Sequence, residues 1–576
     1  MISEINPGLI LIVGALLIPL VPQAVRGVIS LILPIAAMLH LLTLPMGTAG
    51  AFTLFTYDLV TLRIDKLSFA FGVVFLIAAF LAAIYSLHVR GWVEAMTAQM
   101  YAGASIAAVF AGDLITLFIF WEITAIASVF LIWARRTERS VAVGMRYLVV
   151  QVSSGVILLA GVLIYAHQTG GITFGAIADI DIATMEQTSL AAWLILIAVG
   201  IKCAFPLLHA WLPDAYPEGT VSGTVWLSAF TTKLAIYTLA RGFPGSDILI
   251  VIGAVATIYP LIYAILEDDL RRVLCHALNN QLGFMVIGVG VGSGFAIAAV
   301  TAQAFGSVLY KALLFMSIGV VLYRTNTARV SELGGLAKSM PWTASFAIIG
   351  ALAMSTPLFI GYVGKGLLSA AVAEDGALIT WVILTLTSAG VFLVVALRLV
   401  MAAFFGEDRN LQPEDAPGHM KIAMGGAAFA CFVFGAAPWL LYDMLPAPIT
   451  YDVYKPSSVV TQFQLIVFTA LVFVVFSLWG WLPKPRRATL LNADWFYRKL
   501  GYNIGSTLLL MMRDLVRGVG RAGKAATLTI ERNISRTHNP DGILGRTWAT
   551  GTMAFVATAM LAAYLLIFYA RALAIG

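Results

Sequence analysis

The sequence predicts an all-α polytopic membrane protein with about sixteen transmembrane helices, and three observations support this fold class. Hydrophobic residues make up 60% of the 576 residues and charged residues only 11%, which leaves too little polar surface for a soluble fold. The apolar residues form continuous runs of about 17–25 residues, which are typical of membrane helices rather than of β-barrel strands. Lys and Arg concentrate in alternate loops. The net charge of +6 therefore indicates cytoplasmic loops and not a nucleic-acid partner.

The predicted transmembrane helices follow one another closely along the chain. Their apolar runs lie at residues 8–22, 25–44, 68–88, 95–111, 113–134, 144–166, 189–209, 221–241, 247–266, 275–292, 295–322, 344–373, 378–404, 421–443, 461–482 and 548–572. The chain begins Met-Ile-Ser-Glu, without a basic n-region or a small-residue cleavage site. The first run is therefore predicted to be a retained helix and not a signal peptide.

The loops give an independent check on the number of helices. Loops after odd-numbered helices hold sixteen Lys and Arg residues, and the stretch between the last two helices adds nine. Loops after even-numbered helices, together with the C-terminus, hold only five. The positive-inside rule places the odd-numbered loops in the cytoplasm. We therefore expect a multi-pass protein of the inner (plasma) membrane with both termini on the non-cytoplasmic side.

Six regions follow from this pattern. They are residues 1–94 with helices 1–3, 95–241 with helices 4–8, 247–404 with helices 9–13, 405–483 with helices 14 and 15, 484–547 as an amphipathic lateral helix, and 548–576 as a terminal anchor. In the lateral segment Arg513, Arg517, Arg521 and Lys524 share one helical face, opposite an apolar face. This pattern fits a helix along the cytoplasmic surface, either on anionic lipid or as a docking strut.

Five basic residues lie inside predicted helices instead of in loops: Lys202, Lys233, Lys311, Lys365 and Arg398. A Lys at the centre of a membrane helix costs about 2.5–3.5 kcal/mol on insertion scales. A path for ions or protons explains four such lysines better than four separate side chains that snorkel to an interface. Arginine keeps its proton, so Arg398 is predicted to be structural or paired with an acid.

Glu122 lies in the middle of the fifth predicted helix, too far from either end to snorkel easily. A buried carboxylate needs a cation or holds its proton, and Lys202 is the natural partner. A Glu–Lys pair that opens and closes would switch a proton on and off the lysine. His209 and His276 are weaker candidates for extending this relay near neutral pH, and both also fit a structural role near a helix end.

Two of the predicted helices contain both a helix break and a lysine. Pro206 follows Lys202 by four residues and breaks the seventh helix there, and Pro357 interrupts the twelfth helix before Lys365. The two helices are five apart, so they cross the membrane in opposite directions. This arrangement predicts two inverted five-helix repeats, helices 4–8 and helices 9–13.

Several sequence phrases around these residues are typical of one family. They are FWEIT around Glu122, IKCAFPLLHAWLPDAY around Lys202, DDLRRVLCHALNNQLGFM in helix 10 and YKALLF around Lys311. Over residues 60–440 the chain resembles the antiporter-like subunits of respiratory complex I and of Mrp-type multisubunit cation/proton antiporters. The short spacing from Lys202 to Lys233 and the phrase FTTKLAIYTLAR resemble the Mrp D subunit most.

The resemblance implies a role for each charged residue. Glu122 and Lys202 match the gating ion pair of the family, and Lys233 matches the relay lysine of helix 8. Lys311 matches the central lysine of helix 11, and Lys365 matches the terminal lysine or glutamate of broken helix 12.

Two features depart from the family pattern. Many relatives carry histidine four or eight residues before the helix 11 lysine, where this chain has Ser307 and Gln303, and this implies ordered water instead of a histidine relay. The tail resembles the lateral helix and terminal anchor of the largest antiporter-like subunit of complex I, which is not typical of Mrp D.

The sequence therefore predicts a proton-translocating subunit of a multisubunit Mrp-type Na⁺(K⁺)/H⁺ antiporter, a secondary transporter subunit and not itself an enzyme. The alternative is an ion-pumping subunit of an enzyme-coupled complex, such as a complex I-like assembly, a membrane-bound hydrogenase or an inorganic-carbon uptake system. Expected partners are other membrane subunits, the lipid bilayer, H⁺ and either Na⁺ or K⁺, without nucleic acid. No cofactor or metal is predicted, because the three cysteines form no CxxC pair.

Overall fold

The computed structural model describes residues 4–54, 57–481, 495–539, 542 and 549–575. They belong to two units, residues 1–492 and residues 493–576. In the described part of the chain, 11 helices are long and apolar enough to cross a membrane, and three shorter apolar helices accompany them. The chain is thus a polytopic helical membrane protein.

Helices make up nearly all the regular structure of the first unit. They are α1 (Pro7–Leu17), α2 (Gln23–Thr43), α3 (Lys66–Tyr85), α4 (Trp92–Val109), α5 (Leu114–Trp133), α6 (Glu138–Thr169), α7 (Leu190–Lys202), α8 (Trp211–Ala215), α9 (Val221–Ala229), α10 (Thr231–Gly242), α11 (Ile248–Leu266), α12 (Leu270–Val291), α13 (Gly294–Thr325), α14 (Pro341–Leu352), α15 (Ile360–Glu374), α16 (Leu378–Phe392), α17 (Gly418–Ala436), α18 (Trp439–Tyr442) and α19 (Pro456–Leu478). Short 3₁₀ turns lie at Ile18–Leu20, Ile182–Gln187, Tyr216–Glu218 and Val330–Glu332. The second unit holds α20 (Tyr502–His538) and α21 (Thr550–Ile575).

A β-hairpin between α2 and α3 adds to the predicted helices. Strand β1 (Gly47–Leu54) pairs antiparallel with strand β2 (Tyr57–Ile64). The apolar pattern did not predict this element, because it shows only membrane-length runs. The predicted apolar runs, including the last two as far as they are described, coincide with helices of the structure.

The broken helices 7 and 12 contain the same turn. Helix α7 ends at Lys202, and the turn Phe205–Leu208 follows; the turn Thr356–Phe359 separates α14 from α15. In each turn the fourth residue donates its amide to the carbonyl of the first, over 2.9 Å and 3.3 Å respectively. Proline stands second, and a leucine stands third with left-handed backbone, Leu207 at φ 70° and Leu358 at φ 74°. This is the pattern of a type II turn, and it explains why both helices stop here.

A second repeated feature links the two halves of the core. Asp113 caps α5 and forms a β-bridge to Thr173, the segment after α6. Asp269 caps α12 and forms a β-bridge to Arg329, the segment after α13. Each bridge joins residues 60 positions apart (173 − 113 and 329 − 269). The repeated bridge and turn agree with a duplicated core of helices 4–8 and 9–13.

Contacts between loops follow the predicted alternation. Loops after even-numbered helices contact one another, and the contacting pairs are Val60 and Asp113, Leu114 and Ile172, Ile177 and Gly242, and Asp65 and Arg241. Loops after odd-numbered helices meet through Arg135 with Glu218, Arg271 with Pro217, Asp268 with Ser331, and Arg324 with Asp415. The two groups lie at opposite ends of the bundle, as the helix count requires. Which end faces the cytoplasm is still a prediction from charge.

The second unit contains the predicted amphipathic segment. Arg513, Arg517, Arg521 and Lys524 lie on the long helix α20, as the four-residue spacing predicted. A π-helical turn, Phe496–Gly501, precedes it. The remainder of the predicted lateral segment 484–547, at residues 484–494, 540–541 and 543–547, lies outside the described residues.

Candidate functional site

Glu122 lies on α5 with its carboxylate against α6. The side chain is half-buried, and its Oε1 has no hydrogen-bond partner. Gly155 of α6 makes this approach possible, because any Cβ at position 155 would overlap the carboxylate. A glycine in the middle of a membrane helix thus leaves the space that the carboxylate occupies.

Gly155→Ala is expected to displace the Glu122 carboxylate and to lower proton transport by about 10–100-fold, as small misplacements of reacting groups do. The measurement is the rate of proton transport by the assembled complex in inverted vesicles. The double variant Gly155→Ala/Glu122→Ala removes the overlap. It should regain thermal stability relative to Gly155→Ala without regaining transport, and equal stability of the two would contradict the assigned contact.

Lys202 reaches α5 beside Glu122. Its Nζ donates to the Trp121 carbonyl over 2.7 Å and lies 4.2 Å from the centre of the Trp121 ring. In the described part of the chain the ammonium forms no ion pair with Glu122, although the two groups are electrostatic neighbours. The lysine ends α7 directly before the turn, so its backbone position depends on the helix break.

Lys233 lies just after a third helix break, which sequence reasoning missed. Helix 8 divides at Phe230 into α9 and α10, and the Lys233 Nζ donates to the freed Ser228 carbonyl over 2.8 Å. The Tyr101 hydroxyl contacts the same break through a hydrogen bond of 2.7 Å with the Thr231 hydroxyl. No proline marks this break in the sequence; the run of hydroxyl residues around it was the available signal.

Lys311 lies at the centre of α13 and is fully buried, with 0% of its surface exposed. Its Nζ has no hydrogen-bond partner. Lys365, on α15, is also buried, and its Nζ donates to the hydroxyls of Ser355 over 2.9 Å and Ser388 over 3.3 Å. Ser355 lies in the break of helix 12, so a lysine contacts the broken segment here too, through a side-chain hydroxyl.

The two candidate histidines lie against tyrosines of α11. The His209 ring is 4.4 Å from the Tyr259 ring, and the His276 ring stacks on Tyr263 at 5.6 Å. The His276 Nδ1 has no hydrogen-bond partner. The pairing with aromatic rings fits the structural interpretation of both histidines better than a place in the row of lysines.

A neutral hydrogen-bond network connects helices 10 and 11 next to Lys311. The Gln303 amide donates to the Gln281 carbonyl oxygen over 2.8 Å, and the Tyr310 hydroxyl donates to the same oxygen over 3.1 Å. Gln281 in turn donates to Asn280 over 2.8 Å. The Gln303 Oε1 has no partner and faces Gly364, the residue before Lys365. Ser307 bonds its own helix, at the Ala304 carbonyl.

Within the part of the chain that the structure describes, the four lysine ammonium groups therefore form hydrogen bonds only with uncharged groups, or, at Lys311, form none. Burial disfavours a charged ammonium, and neutral oxygens offset only part of that cost. Such a lysine can change its protonation state, whereas an arginine cannot. Arg398 donates to the Ala264 carbonyl over 2.9 Å from a π-helical stretch (Leu393–Leu399), which fits a structural role.

The described residues contain no group of three or more His, Cys, Asp or Glu side chains that could hold a metal ion. Cys203, Cys275 and Cys431 are buried free thiols.

Residues 111–393 match the family model described as "NADH:quinone oxidoreductase/Mrp antiporter, TM". This segment contains Glu122 and all four buried lysines. The match confirms the resemblance to the antiporter-like subunit family over this segment. Among curated relatives, hydrogenase-4 component B of Escherichia coli is 25% identical over 459 residues, 72% of this chain and 68% of that protein. The D subunit of the Na⁺/H⁺ antiporter of Alkalihalophilus pseudofirmus is 26% identical over 317 residues, 53% of this chain and 64% of that protein.

Chains of two solved membrane complexes share the fold. The membrane-bound sulfane sulfur reductase, an archaeal respiratory membrane complex, contains a chain with a TM-score of 0.70 and 21% identity, which covers 98% of this chain and 99% of that one. The Mrp complex from Dietzia sp. contains a chain with a TM-score of 0.66 and 20% identity, which covers 82% of this chain and 99% of that one. The chain spans about two thirds of the length of both curated relatives.

Proposed function

We propose that this chain is a proton-translocating subunit of a multisubunit membrane complex. One observation carries the proposal: four buried lysines on four different helices have only neutral hydrogen-bond partners or none. A fold that places so many costly groups in its core gains from them through proton transfer. The other subunits of the complex are its partners, and the inner (plasma) membrane is its location.

The proposed path follows the lysines in chain order. A proton enters near Glu122 and Lys202, passes Lys233 and bound water to Lys311, and leaves near Lys365. Closing the Glu122–Lys202 pair stabilises the charged lysine, and opening it releases the proton. The contacts of Lys202 with the Trp121 carbonyl and ring support an open state of this pair.

Antiport of Na⁺ or K⁺ against H⁺ is the first candidate for how this subunit is coupled. The similarity to the D subunit of a Na⁺/H⁺ antiporter supports it, together with the likeness to a chain of an Mrp complex. In this case the chain is a secondary transporter subunit and catalyses no reaction of its own.

Coupling to an enzyme is the second candidate, and the extent of the matches favours it. The chain of the sulfane sulfur reductase complex covers 98% of this sequence, against 82% for the chain of the Mrp complex. The match to hydrogenase-4 component B also extends over 72% of this chain. Redox chemistry would then take place in a partner subunit, and this chain would use its energy to pump ions.

Glu122→Gln tests the proposed path. We expect proton transport by the intact complex in inverted vesicles to fall by roughly 100-fold, because the switch loses its ionisable acid. Glu138→Gln is the matched control, since Glu138 lies exposed at the start of α6 and should leave transport unchanged. Full transport by Glu122→Gln in an assembled complex would contradict the proposed role.

The coupling mode requires a separate measurement on the wild-type complex. Dissipation of a preformed ΔpH on adding Na⁺ or K⁺ would identify an antiporter. No response to either cation, together with a metal-containing soluble subunit in the purified complex, would identify an enzyme-coupled pump.

A further inference from the structure

Arg241 is a buried cation that the proposed path does not use. It lies near the end of α10, eight residues after Lys233, and Tyr237 stands midway between them. Residues four apart share one face of a helix, so Lys233, Tyr237 and Arg241 form a line about 12 Å long. Only 8% of the Arg241 surface is exposed. The arginine therefore stands between the relay lysine and one end of the bundle.

Four contacts hold the Arg241 guanidinium in place. Its Nη2 lies 2.8 Å from the Asp65 Oδ1, and its Nε donates to the Tyr237 hydroxyl oxygen over 2.9 Å. The guanidinium also lies over two rings, 5.0 Å from the centre of Tyr237 and 5.7 Å from the centre of Phe174. Such a group has a fixed position and keeps its charge at all physiological pH values.

Aromatic rings close the space around this line. Tyr237 packs edge-on against Phe71 at 5.4 Å and against Phe174 at 6.1 Å. The three rings leave the Tyr237 hydroxyl as the polar atom that faces Arg241. Around this line the polar groups are the Tyr237 hydroxyl, the Arg241 guanidinium and the Asp65 carboxylate that anchors it.

The Asp65 carboxyl group stays charged beside Arg241. It caps α3, where its Oδ1 accepts the Ser68 amide, and the Arg63 Nε lies 3.3 Å from its other oxygen. Burial alone would raise the pKa of the Asp65 carboxyl, but Arg241, Ser68 and Arg63 together lower it below its usual value. The carboxylate therefore remains a constant anchor for the arginine.

The loops that carry these residues lie at the same end of the bundle. Asp65 follows the hairpin after α2, Phe174 follows α6, and Arg241 ends helix 8, and all three belong to the even-numbered loops or their borders. The charge pattern predicts this end to be non-cytoplasmic. Protons at this end would meet Arg241 before they reach Lys233.

We infer that Arg241 is an electrostatic barrier that closes the outer end of helix 8, so that protons on Lys233 can move along the row of lysines but cannot exchange with the non-cytoplasmic side. The inference rests on the proposed proton path. Arg241 and Arg63 together exceed the Asp65 carboxylate by one positive charge, and a net charge of +1 about 12 Å away lowers proton occupancy of Lys233 roughly tenfold at an effective dielectric constant of about 20. Arginines in other membrane pores exclude protons and cations by the same principle.

The test is passive proton flux through the intact complex in sealed vesicles, driven by a potassium diffusion potential and read by an internal pH dye. Arg241→Gln should raise the passive flux at least about tenfold over wild type. Arg241→Lys keeps the charge and should remain close to wild type. Arg398→Gln is the matched control, because Arg398 is a half-buried arginine that contacts the Ala264 carbonyl away from this line.

Two further variants complete the test. The first asks whether the proton leak passes through Lys233, and the second replaces Arg241→Gln if that variant does not assemble. The passive proton flux of Arg241→Gln/Lys233→Met should be as low as that of wild type, and a leak that persists in this double variant would overturn the inference. If Arg241→Gln does not assemble, Arg63→Gln removes one of the two positive charges beside Asp65 and should itself leak; a complex with Arg63→Gln that does not leak would overturn the inference. If Glu122→Gln loses active transport while Arg241→Gln shows no raised passive proton flux, the barrier is refuted and the proposed function is still supported.

Discussion

Lys202→Ala is expected to abolish proton transport by the assembled complex, with a fall of roughly 100-fold or more. Lys202→Arg should fail to nearly the same extent. The guanidinium keeps its proton at every physiological pH, so it can occupy the site beside Trp121 but cannot release a proton there. The measurement is the initial rate of ΔpH formation or dissipation in inverted vesicles, at equal amounts of complex.

The pair of Lys202 variants separates two roles of the residue. Recovery of transport in Lys202→Arg would show that only a positive charge is needed, as for a structural contact with the Trp121 carbonyl. Lys338→Ala is the matched control, since Lys338 is an exposed lysine in the segment before α14 and its loss should leave the rate unchanged.

Lys311→Met is expected to change transport and stability in opposite directions. Transport should be lost, because the centre of the row can no longer bind a proton. Thermal stability of the complex should rise by about 2–4 °C, because Lys311 is fully buried and its Nζ has no partner. Methionine fills a similar volume without a charge that must be desolvated. The measurements are the unfolding temperature of the purified complex and its transport rate.

Leu313→Met on the same buried helix is the control for repacking, and it should change neither property appreciably. A clear loss of stability in Lys311→Met would contradict the unpartnered state of the ammonium. It would indicate that the lysine is held by a favourable interaction in the assembled complex.

Local chemistry explains which parts of the fold could be predicted from the sequence. The helix ends at Lys202 and before Lys365 follow from Pro206 and Pro357, since proline removes a backbone donor wherever it stands. The break at Phe230 has no such residue, and its backbone is stabilised by a lysine from the next turn and by Tyr101, on another helix. The break therefore depends on tertiary contacts that a sequence pattern does not contain.

The same distinction applies to the candidate site. Charge in an apolar run was enough to single out the lysines, because the cost of burial depends only on residue type and depth. Their partners, such as Ser355 and Ser388, are ordinary residues whose role comes from proximity alone. Arg241 was counted only as a loop residue, because its anchor Asp65 lies 176 positions away in the chain.

The absence of carboxylates around Lys233, Lys311 and Lys365, within the described residues, has a consequence for how charge is distributed along the row. Lys311 interacts electrostatically with both Lys233 and Lys365, so a charge on any one of the three makes a charge on its neighbour less favourable. If these lysines exchange protons as proposed, charged and neutral sites tend to alternate. Adding a proton at one end then shifts this alternation along the row, and a proton leaves at the other end without any single proton crossing the whole distance.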